Sequence, residues 1–115
     1  YALFVSGLLK INQSAFDGAL EYLSQAAKLD PDDAEVQNHL GVVFSELGQR
    51  ESGEAALRKA VQLQPEYTDA HINLAVVYAS QNPPFKELAK YHYQLALQAG
   101  HSKDPRLERL IEGAE

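Results

Sequence analysis

Residues 34–65, AEVQNHLGVVFSELGQRESGEAALRKAVQLQP, read as two helical patterns with a turn between them. Asp32 or Asp33 can cap a first helix over about 34–47, and Gly48 sits where a left-handed helix end is wanted. A second helix follows over about 51–63 and stops before Pro65, which cannot donate the next helical hydrogen bond. A shifted copy of this unit flanks it on each side. Pro31 and Pro65 stand 34 residues apart, and so do Gly7 and Gly41, Leu23 and Leu57, Ala26 and Ala60, Leu40 and Leu74, and Phe44 and Tyr78. One coincidence of this kind means little, but a ladder of them at a single period marks a stack of one repeated unit.

The preceding copy predicts helices over 1–13 and 16–29, with Ser14 and Asp17 spaced as a capping box for the second. Asp30-Pro31 ends that helix. The following copy predicts a helix over 69–80, capped by Thr68, and another over 85–99. Keeping Ala89, Tyr93 and Ala96 in phase requires the intervening turn, which contains Asn82-Pro83-Pro84, to be two residues longer than its counterparts. Gly100 ends this unit. Asp104-Pro105 then opens a short seventh helix within RLERLIEGAE, with Asp104 as cap and Pro105 in the first turn.

Composition narrows the possible functions. The chain has 115 residues, 45% apolar and 23% charged, with a net charge of −6. These values suit one globular domain with a modest core. The ten Lys and Arg are scattered, with Arg58-Lys59 the only adjacent pair, so the basic patch that nucleic acid requires is missing. With no Cys, disulfides and thiolate metal sites are excluded. The opening YALFVSGLL lacks a basic leader and is too short to insert into a membrane. The compartment stays open, a soluble cytoplasmic chain being the preferred reading. The start at Tyr1 and the lack of Met suggest a piece of a longer protein.

The 34-residue period with the pattern W-x2-L-G-x2-Y, then A-x3-F, then a later Ala and Pro, resembles the tetratricopeptide repeat (TPR). The leading aromatic slot holds Leu3, Gln37 and His71, and the Leu-Gly slot holds Ser6-Gly7, Leu40-Gly41 and Leu74-Ala75. The Tyr slot holds Lys10, Phe44 and Tyr78. In the second helices the slots hold Ala19, Gly53 and Ala89, then Leu23, Leu57 and Tyr93, then Ala26, Ala60 and Ala96. Small residues on facing sides let paired helices approach while larger ones fill the gaps. Gly53 departs from the Ala of that slot, at an expected cost of roughly 1 kcal/mol. The ending HYQLALQAGHSKDPRLERL is similar to the last repeat of some bacterial members. The resemblance implies an all-α solenoid, one domain over 1–115, coiled as a right-handed superhelix. Its repeats would span about 1–33, 34–67 and 68–103, with a capping helix over about 104–113.

The resemblance also implies a concave groove lined by the first helix of each repeat and holding a peptide or helical segment. Slot by slot, its lining would be Phe4, Leu8 and Asn12; Glu35, Asn38, Val42 and Glu46; and Asp69, Ile72 and Val76. An apolar strip with an acidic rim suits a protein partner with apolar anchors and some basic residues. The other reading is that Leu8, Val42 and Val76 simply pack between adjacent repeats. A clamp for an Hsp70/Hsp90-type C-terminal carboxylate is disfavoured. The slots that would carry its Lys and Arg donors hold Phe4, Leu8, Ile72 and Val76, and only Asn38 is polar.

Solenoid ends need covering. Tyr1, Leu3 and Phe4 form the candidate surface for self-association, giving a homodimer in the alternative, structural reading of the chain. His39 and His71 lie in successive first helices and could approach, but two His with no carboxylate or Cys at i, i+4 make a poor metal set, and half-buried packing at the groove edge is the preferred reading. Glu51, Glu54 and Arg58 read as a solvated face. Pro83-Pro84-Phe85 reads as loop variation, with presentation of Phe85 to a partner as the alternative. No phosphate loop, dinucleotide fingerprint, zinc-protease or nucleophile-elbow motif occurs. No enzyme, metal or cofactor is therefore expected.

Overall fold

The computed structural model describes residues 1–112. Seven helices and no strand occur among them: α1 (Ala2–Asn12), α2 (Phe16–Leu29), α3 (Ala34–Glu46), α4 (Arg50–Leu63), α5 (Thr68–Ala79), α6 (Lys86–Gln98) and α7 (Pro105–Glu112). The expected end of the capping helix, at Gly113, lies outside the described residues. Among those residues no helix is long and apolar enough to cross a membrane.

Each odd-numbered helix packs on the even one that follows it, and successive pairs stack through α2 on α3 and α4 on α5. The result is an all-α solenoid measuring 41 × 26 × 22 Å, with α7 laid across α5 and α6. α3 and α5 touch directly. The core runs through the stack as two clusters, one around Leu23, Leu40 and Val43 and one around Leu57, Leu74, Tyr78 and Leu107. α4 and α6 begin 36 residues apart, against 34 for α3 and α5, so the two extra residues do fall in the α5–α6 turn.

Close backbone approach fixes the pairing of α3 with α4. A Cβ on Gly41 would stand 2.7 Å from Leu57 Cδ2 and closer still to its Cγ, while one on Gly53 would stand 2.9 Å from the Gly41 carbonyl oxygen. The expectation that Gly53 is a plain loss relative to Ala is therefore incomplete. A methyl group there would meet backbone and the Ser45 hydroxyl at 2.8 Å. Gly7 plays the same part against Leu23, at 2.8 Å.

The ends of the helices correct two sequence expectations. Ser14 and Asp17 form no capping box, and no side chain caps α2. Ser14 instead adopts the left-handed conformation, with φ of 58°. Its N–H donates to the Ile11 carbonyl at 2.8 Å, and that of Ala15 donates to Lys10 at 2.8 Å. This pair of bonds is a Schellman ending for α1. Gly48 and Gly100 close α3 and α6 by the same pair. Likewise Thr68 is the first residue of α5 and does not cap it, its hydroxyl donating to the Glu66 carbonyl at 3.4 Å. Asp33 does cap α3, accepting from Glu35 and Val36, and Asp104 caps α7, accepting from Arg106 and Leu107.

Two substitutions test this account in opposite directions. Gly41→Ala should lose about 2 kcal/mol, because Leu57 is fully buried and cannot yield. Ser14→Gly should gain about 1 kcal/mol by relieving the left-handed residue. Urea unfolding monitored by circular dichroism reads both.

Candidate functional site

α1, α3 and α5 supply the face on which the groove is expected. Along α3, Glu35 and Glu46 are exposed and Val42 is half-buried; along α5, Asp69 is exposed, Ile72 half-buried, and Val76 is 38% exposed. Phe4 and Leu8 of α1 are half-buried and Asn12 is exposed. Val42 and Val76 come together. With Ser45, Glu46, Asn73, Leu57 and Val77 they line a recess of about 110 Å³ between α3 and α5. This arrangement offers a small apolar socket beside a carboxylate.

Asn38 is placed differently from its neighbours in the candidate set. It is only 3% exposed, and its side-chain carbonyl accepts from the Asn73 amide at 2.9 Å. It therefore stands behind the surface and ties α3 to α5. Sequence reading passed over Asn73, although it lies 35 residues after Asn38, next to the slot one period on.

The electrostatics of this face are acidic. The three helices carry Glu35, Glu46 and Asp69 against a single cation, Lys10. The Lys10 stem lies toward α2, where its Cδ would be 3.3 Å from a Cβ on Gly18. His39 sits among the carboxylates with its ring 5.5 Å from that of Phe4. Burial lowers the His39 pKa, with the charges of Glu35 and Asp69 opposing. Tyr67 is pushed up by burial and then by the same two carboxylates.

His71 turns to a partner other than His39. His71 pairs with His92, Nδ1 to Nδ1 at 2.9 Å, and its Nε2 lies 2.6 Å from the Pro65 carbonyl oxygen. His71 fills the slot in which the repeat pattern has Trp, and this is why it turns inward. No group of three or more metal-ligating side chains occurs among the described residues. Glu54 does more than solvate α4. Besides lying 4.0 Å from Arg58, it accepts from the Tyr78 hydroxyl at 2.8 Å, and Tyr78 is pushed up to about 12 by burial and that bond. Phe85 is half exposed and leans on Tyr78, with ring centroids 6.2 Å apart.

At the edge of α1, Tyr1 is 95% exposed, whereas Leu3 and Phe4 are half-buried and pack into the core. The large apolar residues exposed along this edge are Tyr1, just before α1, and Val5 and Leu9 within it, about one turn apart, the last two unremarked in the sequence reading. A second recess, of about 200 Å³, lies between Tyr1, Phe4, Leu29, Asp33 and Glu35.

Residues 7–48 match the family model described as TPR repeat, and residues 34–67 the one described as tetratricopeptide repeat. The chain belongs to the tetratricopeptide repeat family. Among similar proteins, the peroxisomal targeting signal receptor of Saccharomyces cerevisiae is 34% identical over 86 residues, 74% of this chain and 14% of that protein. The type IV pilus assembly protein PilF of Pseudomonas aeruginosa is 37% identical over 75 residues, 65% of this chain and 28% of its own length. This TPR chain thus spans only a small part of those relatives. The Arabidopsis OM64 TPR domain superposes with a TM-score of 0.88 at 16% identity, covering 99% of this chain and 94% of that one. The first TPR of Spaghetti (RPAP3), bound to the HSP90 peptide SRMEEVD, superposes at 0.86 with 20% identity, covering 97% and 90%. At such identities the likeness is one of fold.

The Asn38–Asn73 bond offers a direct test of how this face is held. Asn73→Ala should cost about 1–2 kcal/mol, since it leaves the buried Asn38 carbonyl without its partner. Chemical denaturation of the two proteins side by side measures the difference.

Proposed function

We propose that this TPR chain is a non-catalytic interaction module that holds a segment of another protein on the face formed by α1, α3 and α5. The observation that carries the reading is the socket between Val42 and Val76, apolar at its base and edged by Glu46. With Glu35 and Asp69 at the other end of these helices, the fitting segment has an aliphatic or aromatic anchor and Lys or Arg beside it. Relatives whose names describe a targeting-signal receptor and a pilus assembly protein are consistent with such a role. A free C-terminal carboxylate is a poor fit here, because the one Lys or Arg of these three helices, Lys10, has its stem toward α2.

Peptides selected by phage display on the wild-type chain test this proposal. They should be enriched in basic residues next to an apolar one, and Val42→Glu/Val76→Glu should weaken them by tenfold or more while leaving helicity unchanged. Equal affinity for both proteins would refute the groove. SRMEEVD should bind neither detectably.

The row Tyr1, Val5 and Leu9 favours a second reading, association of two copies through the outer edge of α1. Leu3 and Phe4, first candidates for that surface, are partly occupied by the core, so Val5→Glu is a cleaner probe than Phe4→Glu. Sedimentation equilibrium should then show a dimer that Val5→Glu converts to monomer. A monomer at every concentration would remove this reading.

A further inference from the structure

His71 and His92 join three separate segments of the chain. The Pro65 carbonyl, 2.6 Å from His71 Nε2, can only accept, so Nε2 carries the hydrogen. In a neutral imidazole this leaves His71 Nδ1 bare, and it must accept from the Nδ1–H of His92 at 2.9 Å. Only one pair of tautomers satisfies the whole chain, which runs from the α4–α5 loop through α5 to α6. Two further rings flank His92: Tyr78 stacks on it with centroids 5.8 Å apart, and Tyr91 meets it edge-on at 5.1 Å.

We propose that the His71–His92 hydrogen bond is an acid-sensitive latch holding α6 against α5, released as the pH falls below neutrality. Protonation of His92 would place a cation at a half-buried site near Arg58, with its Nδ1–H still committed to His71. The surroundings do not relieve this. Arg58 of α4 is a cation, Glu54 is already engaged by the Tyr78 hydroxyl of α5, which burial keeps neutral, and Tyr91 of α6 meets His92 edge-on. Burial first, then His71 and Arg58, lower His92 from 6.5 to about 4. The sign follows from this depression. The closed state binds fewer protons than an opened one between pH 6.5 and about 4, so acid favours opening by up to about tenfold per pH unit for that one proton. α7 rests on both α5 and α6, so release of α6 also removes part of the capping helix's support. None of this depends on what the α1–α3–α5 face binds.

Hydrogen exchange of the full chain, expressed as protection factors at pH 7.5 and 5.0, reads the latch. Protection of α6 amides should fall by at least tenfold more than that of α2 amides, and His92→Phe, which keeps the ring stack but cannot titrate, should remove the excess. Equal loss in α2 and α6, or an undiminished excess in His92→Phe, would overturn the proposal. Long-range ¹H–¹⁵N spectra of the wild-type imidazoles give an answer even if that variant is too unstable to study. At pH 7.5 they should show His71 protonated at Nε2 and His92 at Nδ1, and the reverse tautomer at His92 would refute the latch.

Discussion

The fold depends on one contact, the approach of α3 to α4 through Gly41 and Gly53. Two helices packed through ordinary side chains stand about 8–10 Å apart. Here the Gly53 site lies against the Gly41 carbonyl itself, with Leu57 filling the space beside it. This pair sits at the middle of the chain, and every other pair repeats its geometry with slightly larger residues. Gly7 faces Leu23 in the first pair, and Ala75 and Ala89, both fully buried, take the slots in the third. Once each pair closes at this distance, the apolar faces left over can be buried only against the next pair, and a stack results.

Apolar packing alone would let neighbouring pairs slide. Between α4 and α5 the Tyr78 hydroxyl donates to Glu54, and between α6 and α7 the Tyr93 hydroxyl donates to Glu108 at 2.6 Å while accepting from the Asp104 N–H at 2.8 Å. Asn73 ties α5 to α3 and His71 ties α5 to the loop before it. α5 is thus the most heavily bonded helix, and it also presents Ile72 and Val76 on the candidate binding face. A face built on a helix fixed from three sides is pre-organised, so the proposed binding would cost it little conformational entropy.

The period and the slot residues were enough to read the all-α stack, the pairing of helices and most helix ends, because each of these depends on local spacing. What escaped the sequence depends on where distant residues meet. Ser14-x-x-Asp17 satisfies the capping-box pattern, yet Ser14 lies 34 residues before Gly48 and does the same work of ending a helix. The repeat register was the better guide than the motif. Gly53 reads as a flaw until the Gly41 carbonyl is placed against it. Asn73 and the His71–His92 pair were invisible for a similar reason, since side chains that bond across helices leave no periodic trace. Of the candidate groove, the alignment of α1, α3 and α5 was legible, whereas the burial of Asn38 and the outward turn of Val5 and Leu9 were not.

The acidic character of the α1–α3–α5 face follows from where cations can be accommodated in a repeat of this kind. The residues of α3 and α5 divide between a face packed on α4 or α6 and a face turned outward, and neither helix contains Lys or Arg. Basic residues instead occupy the second helices and their ends, as with Arg50, Arg58, Lys59, Lys86 and Lys90. The charge is therefore unevenly spread between first and second helices, with Glu35, Glu46 and Asp69 in the first helices against Lys10 alone. For the proposed ligand, their field would select against carboxylates and for Lys or Arg at encounter, and the recess between Val42 and Val76 would supply the apolar contact. Charge and shape thus point to the same kind of partner from independent features of the chain.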